Sequence, residues 1–274
     1  MSGSFGLLPT LLAGASQGGT ASLLDVLYGR GSQFANATGA AAGLTPAAAL
    51  RQAEQHQAAD VKLTAAEPAV ARAVAAFIHA VQGAKSVSAL LANPRVMQVL
   101  LTANGLGDQA GFTALATKAL TSDLTKPKSL ANTLSDTRWK TVTSTYQFAA
   151  KGLSIIQNPK VIATIANAYA EVTWRKSLDQ TTPGLSNALA FRAEAAKITS
   201  VDQILGDSVM RAVVTGALNI PREIAFQTLT AQETAISSRL DITKFRDPKF
   251  VESFVQRYLI NTNPVGTGAV GLTV

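Results

Sequence analysis

Apolar positions along this chain recur at helical spacing. Trp139, Val142, Tyr146, Ala149, Leu153 and Ile156 follow one another at intervals of three and four residues, as do Ile162, Ile165, Tyr169 and Val172. Phe250, Phe254 and Tyr258 repeat every fourth residue. Such spacing places side chains on one face of an α-helix, and no comparable run of alternating residues predicts a strand. The expected class is therefore all-α. Helix starts are marked by a residue that precedes proline: Thr45-Pro46, Glu67-Pro68, Asn93-Pro94, Asn158-Pro159 and Asp247-Pro248. Proline is favoured in the first helical turn because its missing N–H had no partner there, and Thr, Asn or Asp before it can accept a free backbone N–H. Two long helices are expected over about 136–156 and 158–178, meeting at Gln157-Asn158-Pro159 as a hairpin or a kinked pair.

The pattern also repeats. Ser86 to Asn93 reads against Ser200 to Asp207, and with one residue of slip Val96-Met97 falls on Val209-Met210. Ala119-Leu120-Thr121 then reads against Thr228-Leu229-Thr230. Leu134, Asp136 and Trp139 read against Phe245, Asp247 and Phe250, at a spacing of 111 residues where the serines are 114 apart. The expected architecture is a duplicated helical unit joined by long central helices. A helical domain spans about 45–260, with one copy near 70–150, a connector near 151–180 and a second copy near 183–260. Residues 1–44 are rich in Gly, Ser, Ala and Thr, with only Asp25 and Arg30 charged, so a flexible segment is expected. Within it, Leu23, Leu24, Val26, Leu27 and Tyr28 form an apolar island suited to docking on a partner. Residues 261–274 read as a flexible tail.

Composition narrows the chemistry. Apolar residues make up 47% of the 274, enough for a buried core, and Ala and Leu supply most of them. Without cysteine there is no disulfide, thiolate metal site or cysteine nucleophile. The opening residues lack the basic stretch of a secretory signal, and no membrane span is expected. The net charge of +7 is densest over 118–160, where Lys118, Lys126, Lys128, Arg138, Lys140, Lys151 and Lys160 face only Asp123 and Asp136. That basic surface is either the solvated side of several helices or a site for an anion such as nucleic acid.

Catalytic patterns have better structural readings. Gly14-Ala15-Ser16-Gln17-Gly18 has the spacing of a nucleophile elbow but neither the strand nor the helix that an elbow needs. Gly83-Ala84-Lys85-Ser86 lacks the glycine before lysine of a phosphate loop. His56 and His79 have no carboxylate at ligand spacing, and His79 is expected to be partly buried. Asp202 fits the first turn of a helix, while Asp136, Asp207 and Asp247 fit helix caps. The aromatic stripe is expected to be core rather than a base-stacking platform. No enzyme activity, metal or cofactor is expected.

Several segments, in order, resemble a known family. Leu91-Ala92-Asn93-Pro94-Arg95-Val96, Ala103-Asn104-Gly105-Leu106 and Ser129 to Trp139 look like the first half of a bacterial domain of unknown function, number 1217. Pro183 to Phe191, Ile204-Leu205-Gly206-Asp207 and Phe245 to Phe250 resemble its second half. The likeness covers roughly 70–260, and Ser186 and Ala190 depart from it where members usually carry Arg and Tyr. The family occurs mostly in alphaproteobacteria, often in flagellar gene clusters. The resemblance implies a structural, assembly or export-related protein associated with the bacterial flagellum. It implies flagellar or self-assembly partners and a cytoplasmic stage before assembly or export, with a periplasmic or exterior location also open. It carries no catalytic residues over.

Overall fold

A computed structural model describes residues 44–263. Every described element is helical. The helices are α1 (Pro46–Ala66), α2 (Pro68–Gly83), α3 (Val87–Leu91), α4 (Pro94–Ala103), α5 (Thr113–Leu120), α6 (Leu130–Thr133) and α7 (Arg138–Tyr146). They continue as α8 (Phe148–Lys151), α9 (Pro159–Leu178), α10 (Leu185–Glu194), α11 (Val201–Leu205), α12 (Ser208–Ala217), α13 (Leu229–Ser237) and α14 (Pro248–Thr262), with short 3-10 turns between some of them. The island at residues 23–28 and residues 264–274 of the expected tail lie outside the described residues, while Asn261 and Thr262, expected in that tail, form the end of α14.

Each proline-marked start is a helix start. Thr45 Oγ1 accepts the Ala48 N–H at 3.3 Å, and Asn93 Oδ1 accepts the Arg95 N–H at 3.0 Å. Asn158 and Asp247 do the same for Lys160 and Lys249, each at 2.9 Å. Glu67 shows why α1 and α2 are separate: its backbone is extended (φ −58°, ψ 135°), as the ring of Pro68 demands of the residue before it.

The expected helix over 136–156 is not continuous. It stops at Tyr146, because Gln147 takes a left-handed conformation (φ 47°), resumes briefly as α8, and turns again at Gly152 (φ 57°). The break keeps Phe148 in the core beside Tyr146, their rings 5.8 Å apart, and leaves Ala149 exposed. Gln157 closes the other end of this turn, its Nε2 donating to the carbonyls of Val81 and Ala84 where α2 runs out of partners.

Buried side chains form two clusters. The first contains Phe77, Leu90, Val96, Leu100, Leu120, Trp139, Ile162 and Ile165. The second contains Trp174, Leu189, Phe191, Ile204, Val213, Phe245, Phe254 and Leu259. Phe245 meets Phe191 and Phe254 edge-on, at 5.1 and 5.3 Å. Each fully buried side chain of this size stabilises the fold by about 1.5–3 kcal/mol before ordering costs. Helix α9 serves both clusters, with its isoleucines in the first and Trp174 in the second. Helix α1 precedes the first half of the chain, yet its Ala49, Leu50 and Ala53 belong to the second cluster.

The two halves share local geometry. Helices α3 and α11 each span five residues, and Ser86 and Ser200 cap them by accepting an N–H three residues on. Helices α4 and α12 each span ten residues behind Asn93 and Asp207. A constant offset of 114, rather than a slip, therefore relates these pairs, and it places buried Val99 and Leu100 on buried Val213 and Val214. Gly105 and Asn219 then share a positive φ (74° and 53°), and buried Leu106 and Ile220 follow them. Further on, Leu120 matches Ile236 in burial rather than Leu229, which is exposed. Where the halves meet, the Thr137 N–H donates to the Gly206 carbonyl at 3.1 Å. A Cβ on Gly206 would stand 2.7 Å from the Ser135 oxygen.

Candidate interaction surfaces

The basic residues of 118–160 divide. Lys118 ends α5, Lys126 and Lys128 lie in the loop before α6, Lys140 is on α7, Lys151 on α8 and Lys160 in the first turn of α9; all are exposed. Among the described residues only Lys126 of these has an ion pair, with Asp123 at 3.5 Å. Arg138 does not belong to this free surface. Its guanidinium bonds Asp136 at 2.6 Å, reaches Asp108 at 3.5 Å and donates to the Gly105 carbonyl. Burial lowers the Arg138 pKa, but Asp136 and the nearby Asp207 and Asp108 outweigh it, so the net shift is upward. It is a fixed strut between the end of α4 and the start of α7.

A second, half-buried arginine ties three helices together. Arg192 on α10 lies 2.6 Å from both Glu54 of α1 and Glu252 of α14. Burial raises the Glu54 pKa; Arg192 opposes that shift and Glu252 adds to it. Asp202 and Glu233 also lie close together, and the Glu233 pKa is raised because its protonated carboxyl can donate a hydrogen bond to the Asp202 carboxylate. The caps behave as expected: Asp207 accepts the N–H groups of Val209 (2.7 Å) and Met210 (3.1 Å). His79 departs from expectation, since it is exposed on α2, as is His56 on α1. Among the described residues no group of three potential ligands clusters around a metal position. No described helix is long and apolar enough to cross a membrane.

Three features were not anticipated. Asp123-Leu124-Thr125-Lys126 and Asp241-Ile242-Thr243-Lys244 form the same turn: in each the aspartate accepts both the N–H (3.0 Å) and the hydroxyl (2.6 Å) of the threonine. These bonds hold both carboxyls below their usual pKa. The near-identity of the two tetrapeptides was the available signal. Phe112 and Phe226, each ahead of a helix, are 60% and 88% exposed, large apolar side chains held out to solvent. Last, a groove of about 450 Å³ runs between α2 and α4. Ala73, Ala76 and buried Val99 give it an apolar lining, and exposed Arg72, Arg95 and Gln98 edge it. Its sequence signal is the absence of any acidic residue from 68 to 107.

A family model described as a protein of unknown function (DUF1217) matches residues 103–251. Among solved structures, the crystal structure of Protein AGR_C_984 from Agrobacterium tumefaciens is similar, with a TM-score of 0.66 and 24% identity. The match covers 77% of this chain and 90% of that one, and at this identity it speaks for the fold alone. No curated protein matches the chain.

Proposed function

This chain belongs to the DUF1217 family of proteins of unknown function, and on that premise we propose that it is a non-catalytic structural, assembly or export-related protein of the bacterial flagellum. The observation that carries the reading is the ordered series of motifs from Leu91 to Phe250, which resembles a family found in flagellar gene clusters. Two sets of matching helices with Phe112 and Phe226 held outward support a role in binding other proteins. We read the sets as copies of one ancestral unit; the shared caps, the shared positive φ at Gly105 and Asn219 and the paired Asp-x-Thr turns favour that. The decisive experiment is fractionation of motile cells and of a flagellar-export mutant. Co-purification with basal-body or hook fractions supports the reading. A protein confined to cytosol, whose deletion leaves motility intact, refutes it.

A second reading is nucleic-acid binding, favoured by exposed Lys118, Lys128, Lys140, Lys151 and Lys160, which have no ion pair among the described residues. It requires affinity for duplex or single-stranded nucleic acid that falls steeply with salt and with reversal of these lysines. Binding unaffected by either change removes it.

A further inference from the structure

We propose that the groove between α2 and α4 receives an acidic segment of a partner protein, which inserts an apolar side chain between Arg72 and Arg95. The lining sets the first half of this specificity. Ala73, Ala76 and Val99 offer carbon surface and no hydrogen-bonding side chain, so what enters must itself be apolar. The edge sets the second half. Arg72 and Arg95 are exposed and form no ion pair among the described residues, so both guanidinium groups at this groove are free to meet a carboxylate.

Charge elsewhere on these helices does not cancel them. From Pro68 to Gly107 the chain carries Arg72, Lys85 and Arg95, with His79, and no Asp or Glu. Helices α2, α3 and α4 therefore carry only positive formal charges, and Pro94 and Arg95 sit in the first turn of α4, at the positive end of its dipole. Carboxylates that flank the inserted side chain would gain charge-assisted hydrogen bonds from the guanidinium groups.

The shape selects a protein segment over a small molecule. With Arg72, Pro94, Arg95 and Gln98 all exposed, the groove covers only part of whatever sits in it. Small-molecule sites usually enclose most of their ligand, whereas one anchored side chain on a longer chain needs only a shallow slot. The proposal does not depend on where in the cell the protein works. If it fails, the flagellar reading still stands or falls on cell fractionation.

The test uses the full chain and a short fluorescein-labelled peptide in which Glu and Leu alternate by helical turn, read by fluorescence anisotropy. Binding is expected to weaken about ten- to a hundredfold in Arg72→Glu/Arg95→Glu, the scale of lost hydrogen bonds to charged groups. Binding is also expected to weaken with added salt. Ala76→Trp, which fills the groove without touching its charge, is expected to abolish binding even if the double reversal fails to fold. Lys160→Glu, a charge reversal on α9, is expected to leave affinity unchanged. The proposal is overturned if the peptide does not bind or if Lys160→Glu weakens it as much as the groove variants do. It is overturned equally if replacing Leu by Ser, or Glu by Lys, leaves affinity intact. A chain that dimerises without peptide, and becomes monomeric in the double reversal, also overturns it in favour of self-association.

Discussion

Adding one methyl group at Gly206 tests how tightly the halves of the molecule are joined. Gly206 ends α11 in an ordinary helical conformation (φ −79°), so its backbone does not require glycine. Space does. The new carbon would lie 2.7 Å from the Ser135 carbonyl oxygen and 2.8 Å from Thr137 Cγ2, where 3.4 Å begins ordinary contact. The loop before α7 must therefore retreat by about 0.7 Å, and forced overpacking of this kind costs about 1–3 kcal/mol. Alanine returns about 0.4–1 kcal/mol by restricting the unfolded chain, which leaves a net loss of about 1–2 kcal/mol. For a domain of this size that lowers the melting temperature by about 2–8 °C. The matching position in the first half is Ala92, exposed and free of this constraint, so Ala92→Gly serves as the control. Trp139 and Trp174 report one cluster each, so urea unfolding of single-tryptophan variants followed by fluorescence shows which half loosens. The Thr137 amide, which donates to Gly206, is expected to exchange faster with solvent. A Gly206→Ala protein as stable as its parent, with Thr137 still protected, refutes the tight junction.

Three further outcomes are expected. Gly216→Ala inside α12 drives a carbon to 2.8 Å from the Tyr258 ring and destabilises by about 1–2 kcal/mol despite better helix propensity, whereas Gly83→Ala, with nothing within 4 Å, stabilises by about 0.5–1 kcal/mol; thermal melts rank the two. Asp207→Ala removes a cap that accepts two N–H groups and costs about 1 kcal/mol, measured by urea titration; no loss means that α12 does not depend on it. Glu54 titrates above the ordinary carboxylate range because of burial, so the folded state holds its proton more tightly than the unfolded one. Its contribution to stability is then present at pH below the unfolded value and declines as pH rises through the folded one. Glu252→Gln removes a like charge and should lower the Glu54 pKa, read from the side-chain carbon shift by NMR; an unchanged or higher value contradicts the triad.

Helix class and helix starts were legible because they depend on neighbours in sequence. Proline at 46, 68, 94, 159 and 248 restricts the residue before it and itself, and that suffices to place a start. The break after Tyr146 was hidden because Gln147 is a poor advertisement for a left-handed turn. The same 3.6-residue spacing ran past it to Ile156, which is buried by a change of direction rather than by a longer helix. Arg138 read as part of a basic surface because its partners are partly distant: Asp136 is near in sequence, but Asp108 and the Gly105 carbonyl arrive only with the fold. The α2–α4 groove needs two helices side by side. The run without acidic residues hinted at its charge and gave nothing of its shape.

The placement of α1 has a consequence for how the chain is made. Ribosomes release the N-terminal part first, so Ala49, Leu50 and Ala53 emerge well before residues 174–259, which complete the cluster they join. At about 5–20 residues per second, that apolar stripe waits many seconds for its partner. The first half can begin to close around Phe77 and Trp139 in the meantime, while α1 waits for its partner helices α9, α10 and α14. A nascent chain stalled before α9 should therefore present α1 to proteases and holding chaperones, and one stalled after α14 should not.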